Sequence, residues 1–255
     1  MQRYGLIGFP LTHSFSKKYF TDKFEKERIQ NHQYDLFELP DCGELPRLLA
    51  QTPELRGLNV TIPHKQNVIP FLDALDPQSA GRIGAVNTIK ITADGKLTGY
   101  NTDYYGFMES LRSWLGAYDP AIKALVMGNG GAAKAVFAAL EDLKIRYQVV
   151  SRTGSSDSNA PIISYQTLNA SQALVGSQII INTSPVGTFP ATNQCPDIPY
   201  DQLTDQHFLY DLVYNPAETL FLSKGKAQGA ATHNGLKMLQ LQAEKAWEIW
   251  NDESC

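Results

Sequence analysis

A glycine-rich turn between an apolar strand and an alanine-rich helix constrains this chain more than any other feature. Residues 123–127 have the apolar character of a buried strand, and residues 128–133 read GNGGAA. This spacing matches G-x-G-x-x-G/A, in which two glycines allow a tight turn and the close approach of a pyrophosphate, and a third small residue lets helix and strand pack. A second strand is predicted at residues 146–150. The pattern predicts a dinucleotide-binding unit, although such a turn alone can be purely structural.

The residues after the second of these strands indicate which dinucleotide would bind. Sites for NAD usually carry Asp or Glu there, to hydrogen-bond the ribose 2′-hydroxyl. This chain instead has Ser151, Arg152 and Thr153. A guanidinium group can hold a phosphate through paired N–H donors. We therefore expect NADP, while for Arg152 alone an exposed surface role is the alternative.

Predicted strands alternate with predicted helices along the whole chain. This order is typical of an α/β fold with parallel sheets. Asp94-Gly95 predicts a hairpin, and the nearby domain boundary is expected at residues 101–105. The predicted strands are 3–8, 34–39, 55–62, 85–92, 96–100, 123–127, 146–150, 178–181 and 208–212, and the predicted helices are 17–28 (capped by Ser16), 44–51, 66–75, 104–115, 131–143 and 236–250.

Polar residues cluster at the ends of several predicted strands, where ligands bind in open α/β sheets. Lys65 and Asp103 could form a proton-transfer pair for the reduction of a ketone, with the amine as acid/base and the carboxylate as its partner. The alternatives are a solvated lysine and an Asn-Thr-Asp segment that only caps the next helix. The four clusters are residues 13–16 (HSFS), 59–65 (NVTIPHK), 85–88 (AVNT) and 101–103 (NTD).

Composition excludes several classes of protein. The 255 residues carry a net charge of -4 without a basic stripe, which argues against nucleic-acid or anionic-membrane binding. The three cysteines form no C-x-x-C pair, so we expect reduced thiols in a cytoplasmic protein, with no metal site. No apolar run is long enough for a signal peptide or a membrane span.

Taken together and in order, these motifs resemble the shikimate dehydrogenase family over nearly the whole chain. A run of so many ordered motifs makes a chance similarity very improbable. Those that carry the resemblance are GFPLTHSFS at 8–16, NVTIPHK at 59–65, GAVNT at 84–88, NTD at 101–103, GNGGAA at 128–133, SRT at 151–153, INTSPVG at 181–187, YDLVYNP at 210–216 and GLKMLQLQA at 235–243.

The resemblance implies reversible, NADPH-dependent reduction of 3-dehydroshikimate to shikimate, on the route to aromatic amino acids. It implies a substrate-binding α/β domain at 1–103, with 235–255 packing back on it, and a Rossmann-type NADP domain at 104–234, as a monomer or homodimer. By the same resemblance, the catalytic residues are Lys65 and Asp103; the substrate-binding residues are Ser14, Ser16, Thr61, Asn87, Tyr214 and Gln242; the cofactor-binding residues are Gly128, Asn129, Gly130, Gly131, Ala132, Arg152, Thr153, Asn182, Thr183, Leu212 and Gly235.

Some residues depart from the family pattern, and other functions stay open. Lys17 stands where the family usually has Pro, Thr188 stands where Met is common, and no basic residue directly follows the SRT segment. One alternative is a quinate/shikimate dehydrogenase with broader substrate and cofactor use. A second is a non-catalytic, metabolite-sensing protein on the same fold, and a third is a dehydrogenase of the methylenetetrahydrofolate type.

Overall fold

The computed structural model describes residues 1–11, 14–152, 160–171 and 173–252, which form two compact α/β units. One unit contains Met1–Thr102 together with the chain from Gln242 onward, and the other contains Asp103–Leu241. Among the described residues, no helix is both long and apolar enough to cross a membrane. Within the same residues, Cys42 and Cys195 are free thiols and no group of His, Cys, Asp or Glu is arranged to hold a metal ion.

The first unit is built on a six-stranded mixed sheet with the order β2-β1-β3-β5-β6-β4. Strand β1 pairs in parallel with β2 and β3, whereas β5 is antiparallel to both β3 and β6. The expected hairpin around Asp94-Gly95 is confirmed as β5–β6. The elements are β1 (Gln2–Gly8), α1 (Phe15–Lys26), β2 (His32–Glu38), α2 (Leu45–Gln51), β3 (Leu55–Val60), α3 (His64–Asn67), β4 (Ala74–Leu75), α4 (Ala80–Ile83), β5 (Thr88–Ile91) and β6 (Leu97–Tyr100).

The second unit is a parallel six-stranded sheet with the order β12-β11-β10-β7-β8-β9. Every pair in it is parallel. This is the doubly wound order, which reverses direction between β7 and β10. The remaining elements are α5 (Thr102–Leu115), β7 (Lys123–Met127), α6 (Gly131–Asp142), β8 (Arg146–Val150), β9 (Ile162–Ile163), α7 (Tyr165–Asn169), β10 (Ile179–Asn182), β11 (Phe208–Asp211), α8 (Leu220–Ala227), β12 (Ala231–Asn234) and α9 (Leu236–Asn251).

The three central strands of the second sheet, β7, β10 and β11, are largely apolar and buried on both faces because helices cover both. On one face, buried residues of α5 and α6 such as Phe107 and Val136 pack against β7 and β10. On the other face, Leu168 of α7 and Phe221 of α8 pack against neighbouring residues of the same strands. The near-continuous hydrophobic runs that predicted buried parallel strands are therefore explained by two covering layers.

The predicted return of the last helix to the first sheet is confirmed by its packing. Trp250 of α9 lies in a buried aromatic cluster with Tyr4 and Phe20. Its indole Nε1–H donates to the carbonyl oxygen of Ile89 at 3.0 Å. Gly57 makes this approach possible, because a Cβ there would stand 2.2 Å from the indole nitrogen.

Two local predictions differ from the structure. The helix expected at 66–75 stops at Asn67 and is followed by a 3₁₀ turn at Ile69–Phe71, because Pro70 lacks the N–H that a continuing helix needs. Helix α1 begins at Phe15, and its N-cap is Ser14, not Ser16. The hydroxyl of Ser14 accepts the backbone N–H of Lys17 at 3.2 Å, so the Lys found in place of the family's usual Pro supplies the donor that the cap uses.

Candidate active site

The first unit holds a buried amide pair that joins two distant parts of the chain. The amide nitrogen Nδ2 of Asn87 donates to Oε1 of Gln242 at 3.1 Å. The oxygen Oδ1 of Asn87 accepts the backbone N–H of Thr102 at 2.7 Å. Both amides are buried, at 3% and 9% exposure. The meeting of these two predicted substrate-binding residues follows from the β5–β6 hairpin and from the return of α9.

A chain of hydrogen bonds extends from this pair toward α1. The amide of Asn59 donates to the hydroxyl of Thr88 at 3.3 Å, and that hydroxyl donates to Oδ1 of Asn87 at 3.1 Å. Asn59 in turn accepts from the hydroxyl of Tyr34 at 2.7 Å, and Tyr34 is hydrogen-bonded to the side chain of Ser16. Burial raises the pKa of Tyr34, so this hydroxyl stays protonated and acts as a fixed donor.

Thr61 lies at the same edge of this sheet. It follows β3, and its backbone N–H donates to the carbonyl of Ile7 in the parallel strand β1 at 2.9 Å. Ser14 begins α1, which is the next element after β1. The half-buried side chains of Ser14, Ser16 and Thr61 therefore stand beyond the carboxyl ends of parallel strands, where ligands bind in α/β sheets.

Lys65 is carried by α3, a single turn of helix that the rest of the first unit holds in place. The carbonyl of Lys65 accepts the backbone N–H of Val86 at 2.7 Å. The neighbouring His64 is fully buried, and its ring Nε2 hydrogen-bonds the carbonyl of Leu39 at 2.5 Å. Since that carbonyl can only accept, Nε2 carries the proton. These contacts fix the backbone of Lys65, while its ammonium group is on a partly exposed side chain.

In the second unit, the glycine turn has the geometry that a pyrophosphate requires. Gly128 has a φ of 112°, and a Cβ there would lie 2.5 Å from Oγ1 of Thr183. Gly130 is the N-cap of α6, and a Cβ at Gly130 or Gly131 would meet nothing within 4 Å. The turn thus leaves open space over the N-terminus of a twelve-residue helix. Exposed backbone N–H groups and the helix dipole at such an end favour phosphate.

A cavity of about 600 Å³ opens directly above this turn. Its volume lies in the usual range for small-molecule sites. It contains five of the predicted cofactor residues, and Gly131 and Ala132 adjoin it in the first turn of α6. Thr153 lies outside the described residues. The lining comprises Gly128, Asn129, Gly130, Val150, Ser151, Arg152, Tyr165, Thr183, Ser184, Pro185, Val186, Cys195, Pro196 and Asp197.

The loop that forms one wall of the cavity is held by a buried carboxylate. Asp211 accepts hydrogen bonds from Nδ2 of Asn182 at 2.9 Å, from Oγ1 of Thr219 at 2.6 Å and from the backbone of Val213 at 3.0 Å. Asn182 is itself fully buried, and its Oδ1 accepts the backbone N–H of Ser184 at 3.0 Å. Burial raises the pKa of Asp211 to about 6, although its three donors act in the opposite direction. The side chain of Asn182 therefore shapes the loop around the cavity.

The ends of β11 and β12 bring Leu212 next to Gly235. A Cβ on Gly235 would stand 2.0 Å from the carbonyl oxygen of Leu212, so only glycine fits there. The backbone N–H of Gly235 donates to the carbonyl of Val213 at 3.2 Å. Tyr214, the predicted substrate residue from the same segment, is 41% exposed.

The two predicted catalytic residues belong to different units. Lys65 lies in the first, and Asp103 is the first residue of the second. Asp103 directly follows Thr102, whose backbone is bound by Asn87, and it lies in the first turn of α5.

Among the cavity residues that the sequence did not single out are Tyr165, Cys195 and Asp197. Tyr165 begins the short helix α7, and the other two lie in an irregular segment. No motif or periodic pattern marks any of them, so only the fold reveals that they share a cavity with the glycine turn.

Comparisons with known proteins show which sequences and structures this chain resembles. A family model described as the shikimate dehydrogenase substrate binding domain matches residues 6–89. A shikimate dehydrogenase (NADP(+)) of Clostridium beijerinckii is 40% identical, over 99% of this chain and 93% of that protein. A Thermus thermophilus shikimate 5-dehydrogenase structure in complex with NADP(H) and shikimate superposes with a TM-score of 0.84 at 30% identity, covering 98% of this chain and 94% of that one.

A quinate dehydrogenase of Corynebacterium glutamicum in complex with NAD is also similar in structure. Its TM-score is 0.86 at 25% identity, over 98% of this chain and 93% of that one. The fold, the ordered motifs and the long alignments lead to one assignment: the chain belongs to the shikimate dehydrogenase family.

Proposed function

We propose that this protein is a shikimate dehydrogenase, an oxidoreductase that interconverts 3-dehydroshikimate and shikimate with NADP(H) on the route to chorismate and the aromatic amino acids. The observation that carries the proposal is the cavity of the second unit. It combines the glycine turn, an open helix N-terminus and Arg152 at the end of β8, where NAD-binding sites usually have an acid.

The residues present fit NADP. A Cβ on Gly130 or Gly131 would meet nothing within 4 Å, so there is room for the pyrophosphate at the N-terminus of α6. Arg152, followed by Thr153, suits the 2′-phosphate, because a guanidinium group binds phosphate through paired donors. We assign the phosphate end of the cavity to Gly128, Asn129 and Thr183. The loop beside it is held by Asn182. The nicotinamide side is assigned to Leu212 and Gly235. NADP, when bound, accepts or supplies the hydride.

The first unit supplies groups that suit a polyhydroxylated acid. We assign the hydroxyls of Ser14, Ser16 and Thr61 to the substrate carboxylate and hydroxyls. The amides of Asn87 and Gln242 already hydrogen-bond each other at 3.1 Å, so they present their remaining donors and acceptors in a fixed geometry. Tyr214, on the second unit, is assigned to the same substrate. Fixed polar groups of this kind lower the entropic cost of positioning a ligand.

Lys65 is assigned as the acid/base. In the oxidation of shikimate, the hydroxyl on carbon 3 loses its proton to Lys65, and the hydrogen on the same carbon leaves as hydride. In the reverse direction, Lys65 returns the proton to the oxygen of the former ketone. We assign Asp103 as the carboxylate that orients the lysine amine. The two short hydrogen bonds around α3, from Val86 to the carbonyl of Lys65 and from the ring of His64 to the carbonyl of Leu39, support this role, since they fix the backbone that carries the amine.

We expect a cytoplasmic protein that is a monomer or a homodimer and has no nucleic-acid or membrane partner. The free thiols of Cys42 and Cys195 agree with a reducing compartment. Sedimentation equilibrium would distinguish the two oligomeric states.

The deciding experiment follows absorbance at the reduced-nicotinamide band, with shikimate and quinate each tested against NADP and NAD. We expect the largest kcat/KM for shikimate with NADP. Comparable values for quinate would favour the broader quinate/shikimate dehydrogenase, for which the NAD-bound structural relative is a precedent. Binding of NADP without any turnover would favour a metabolite-sensing protein and refute the enzyme assignment.

A further inference from the structure

The proposed cofactor cavity is lined by two side chains of opposite charge, Arg152 and Asp197. Arg152 follows β8, the strand that leads away from the glycine turn, whereas Asp197 comes from the irregular segment before the 3₁₀ turn at Tyr200–Gln202. Both line the same cavity as Tyr165. The pKa of Tyr165 is raised chiefly by burial; Arg152 lowers it and Asp197 raises it, so both charges act on this one hydroxyl.

The position of Asp197 is fixed by its neighbours in the chain. Pro196 and Ile198 on either side are buried, while Asp197 itself is exposed to the cavity. The carbonyl of Pro196 accepts the hydroxyl of Tyr200 at 2.9 Å and the backbone N–H of Ile198 at 3.1 Å. The carboxylate also accepts a long hydrogen bond from Asn169 of α7, at 3.5 Å. These anchors hold the segment so that the acid faces the same space as Arg152.

The two charges have opposite preferences for the two nicotinamide dinucleotides. The 2′-phosphate of NADP carries close to two negative charges, so it is attracted by a guanidinium group and repelled by a carboxylate. The 2′-hydroxyl of NAD can donate a hydrogen bond to a carboxylate and gains little from the guanidinium group. The acid that is absent from the end of β8 is thus supplied to the same cavity by a different segment.

We propose that Asp197 sets the cofactor preference, by weakening the binding of the 2′-phosphate and so allowing NAD to compete with NADP. This inference rests on the proposed dinucleotide site. Two residues would then discriminate between the two cofactors: Arg152, which follows β8, and Asp197, which comes from a different segment.

The expected effect is modest because the groups are partly in contact with water. At separations comparable to the Debye length, charges on an exposed rim interact weakly and are screened by salt. We expect removal of the carboxylate charge to change the affinity ratio of NADP to NAD by about three- to tenfold.

The test measures binding to the full-length protein by calorimetry, without substrate. Asp197→Asn should tighten NADP and the fragment 2′,5′-ADP by about three- to tenfold, while NAD and 5′-AMP bind as before or more weakly. The gain in NADP affinity of Asp197→Asn should shrink at about 0.5 M salt, because salt screens the repulsion that the variant removes. Arg152→Ala should have the opposite effect and lower the affinity for NADP relative to NAD. Asp201→Asn is the matched control, because that exposed acid does not line the cavity and should change nothing.

The outcomes separate this inference from the function it rests on. If both dinucleotides bind the wild-type protein but Asp197→Asn keeps its NADP-to-NAD ratio, the role of Asp197 is refuted and the dinucleotide site stands. An equal change in Asp201→Asn would also refute it, since the effect would then come from net charge. If neither dinucleotide binds the wild-type protein, the proposed function fails and this inference fails with it.

Discussion

Replacement of Asp211 by Asn should remove the loss of folding stability that the titration of this buried carboxyl causes as the pH rises. Asp211 is fully buried, and burial raises its pKa from an ordinary 3.8 to about 6. Between those values the folded protein holds a proton that the unfolded chain has released, so stability falls as the pH rises through this window. A pKa shift of one unit corresponds to about 1.4 kcal/mol. The shift of Asp211 therefore lowers the free energy of unfolding by about 3 kcal/mol between about pH 4 and pH 6.5.

The assay is urea unfolding, followed by tryptophan fluorescence at several values between about pH 4 and pH 7. The free energy of unfolding of the wild-type protein, minus that of Asp211→Asn, should fall by about 2–3 kcal/mol as the pH rises. Other carboxylates titrate in both proteins and cancel in this difference; an example is Glu244, whose pKa burial raises but the hydrogen bonds from Lys23 and Tyr19 lower overall. The matched control Asp201→Asn removes an exposed acid and should keep the wild-type fall in stability over this pH range.

Parallel pH profiles for the wild-type protein and Asp211→Asn, within about 0.5 kcal/mol, would refute the reasoning. They would mean that the three hydrogen bonds offset burial fully. If Asp211→Asn does not fold, Thr219→Val offers a second test. It removes one donor to the carboxylate at 2.6 Å, so the pKa of Asp211 should rise further and the loss of stability should extend to higher pH.

Three further substitutions test separate parts of the structure. Lys65→Ala should lower kcat by about two to four orders of magnitude, with a smaller change in KM for shikimate, because it removes the acid/base. Gly57→Ala should cost about 1–3 kcal/mol in urea unfolding, since its Cβ would meet the indole of Trp250 at 2.2 Å. Gly128→Ala should weaken NADP binding by about tenfold or more in calorimetry, because it strains a residue with a φ of 112° and collides with Thr183.

Each of these has an outcome that would contradict it. Near-normal turnover of a folded Lys65→Ala protein would remove the proposed role of that amine. Gly43→Ala is the control for Gly57, since its Cβ would meet only ordinary contacts from 3.4 Å outward. Equal costs for the two glycines would argue against close packing of α9. Unchanged NADP affinity in Gly128→Ala would place the pyrophosphate away from the turn.

The glycine turn and the strands around it could be predicted from the sequence because they depend on local patterns. The predicted strands at 123–127, 178–181 and 208–212 are short, mainly apolar runs, and the structure buries them between two helical layers. The mixed pairing of the first sheet could not be predicted in this way. Strand β5 is antiparallel to β3 as well as to β6, and only the second pairing has a local signal, the Asp94-Gly95 turn.

The contacts that make the candidate site depend on pairings between distant segments, which local patterns do not encode. Asn87 and Gln242 are 155 residues apart, and their hydrogen bond requires both the hairpin and the return of α9. Only the family resemblance selected Gln242 from the sequence, whereas Asn87 also lies in one of the polar clusters at the predicted strand ends. Asp197 shows the remaining limit: it reaches the cavity from an irregular segment, so neither periodicity nor a motif indicates it.

The central claim is that a hydrogen moves as hydride between carbon 3 of shikimate and the nicotinamide ring, and isotopic labelling follows that hydrogen directly. Shikimate carrying deuterium on carbon 3 would be oxidised with NADP, and the reduced cofactor would be analysed by mass spectrometry. The account predicts that each NADPH formed carries one deuterium from the substrate. Reduced cofactor without deuterium, or oxidation of a different carbon, would contradict it.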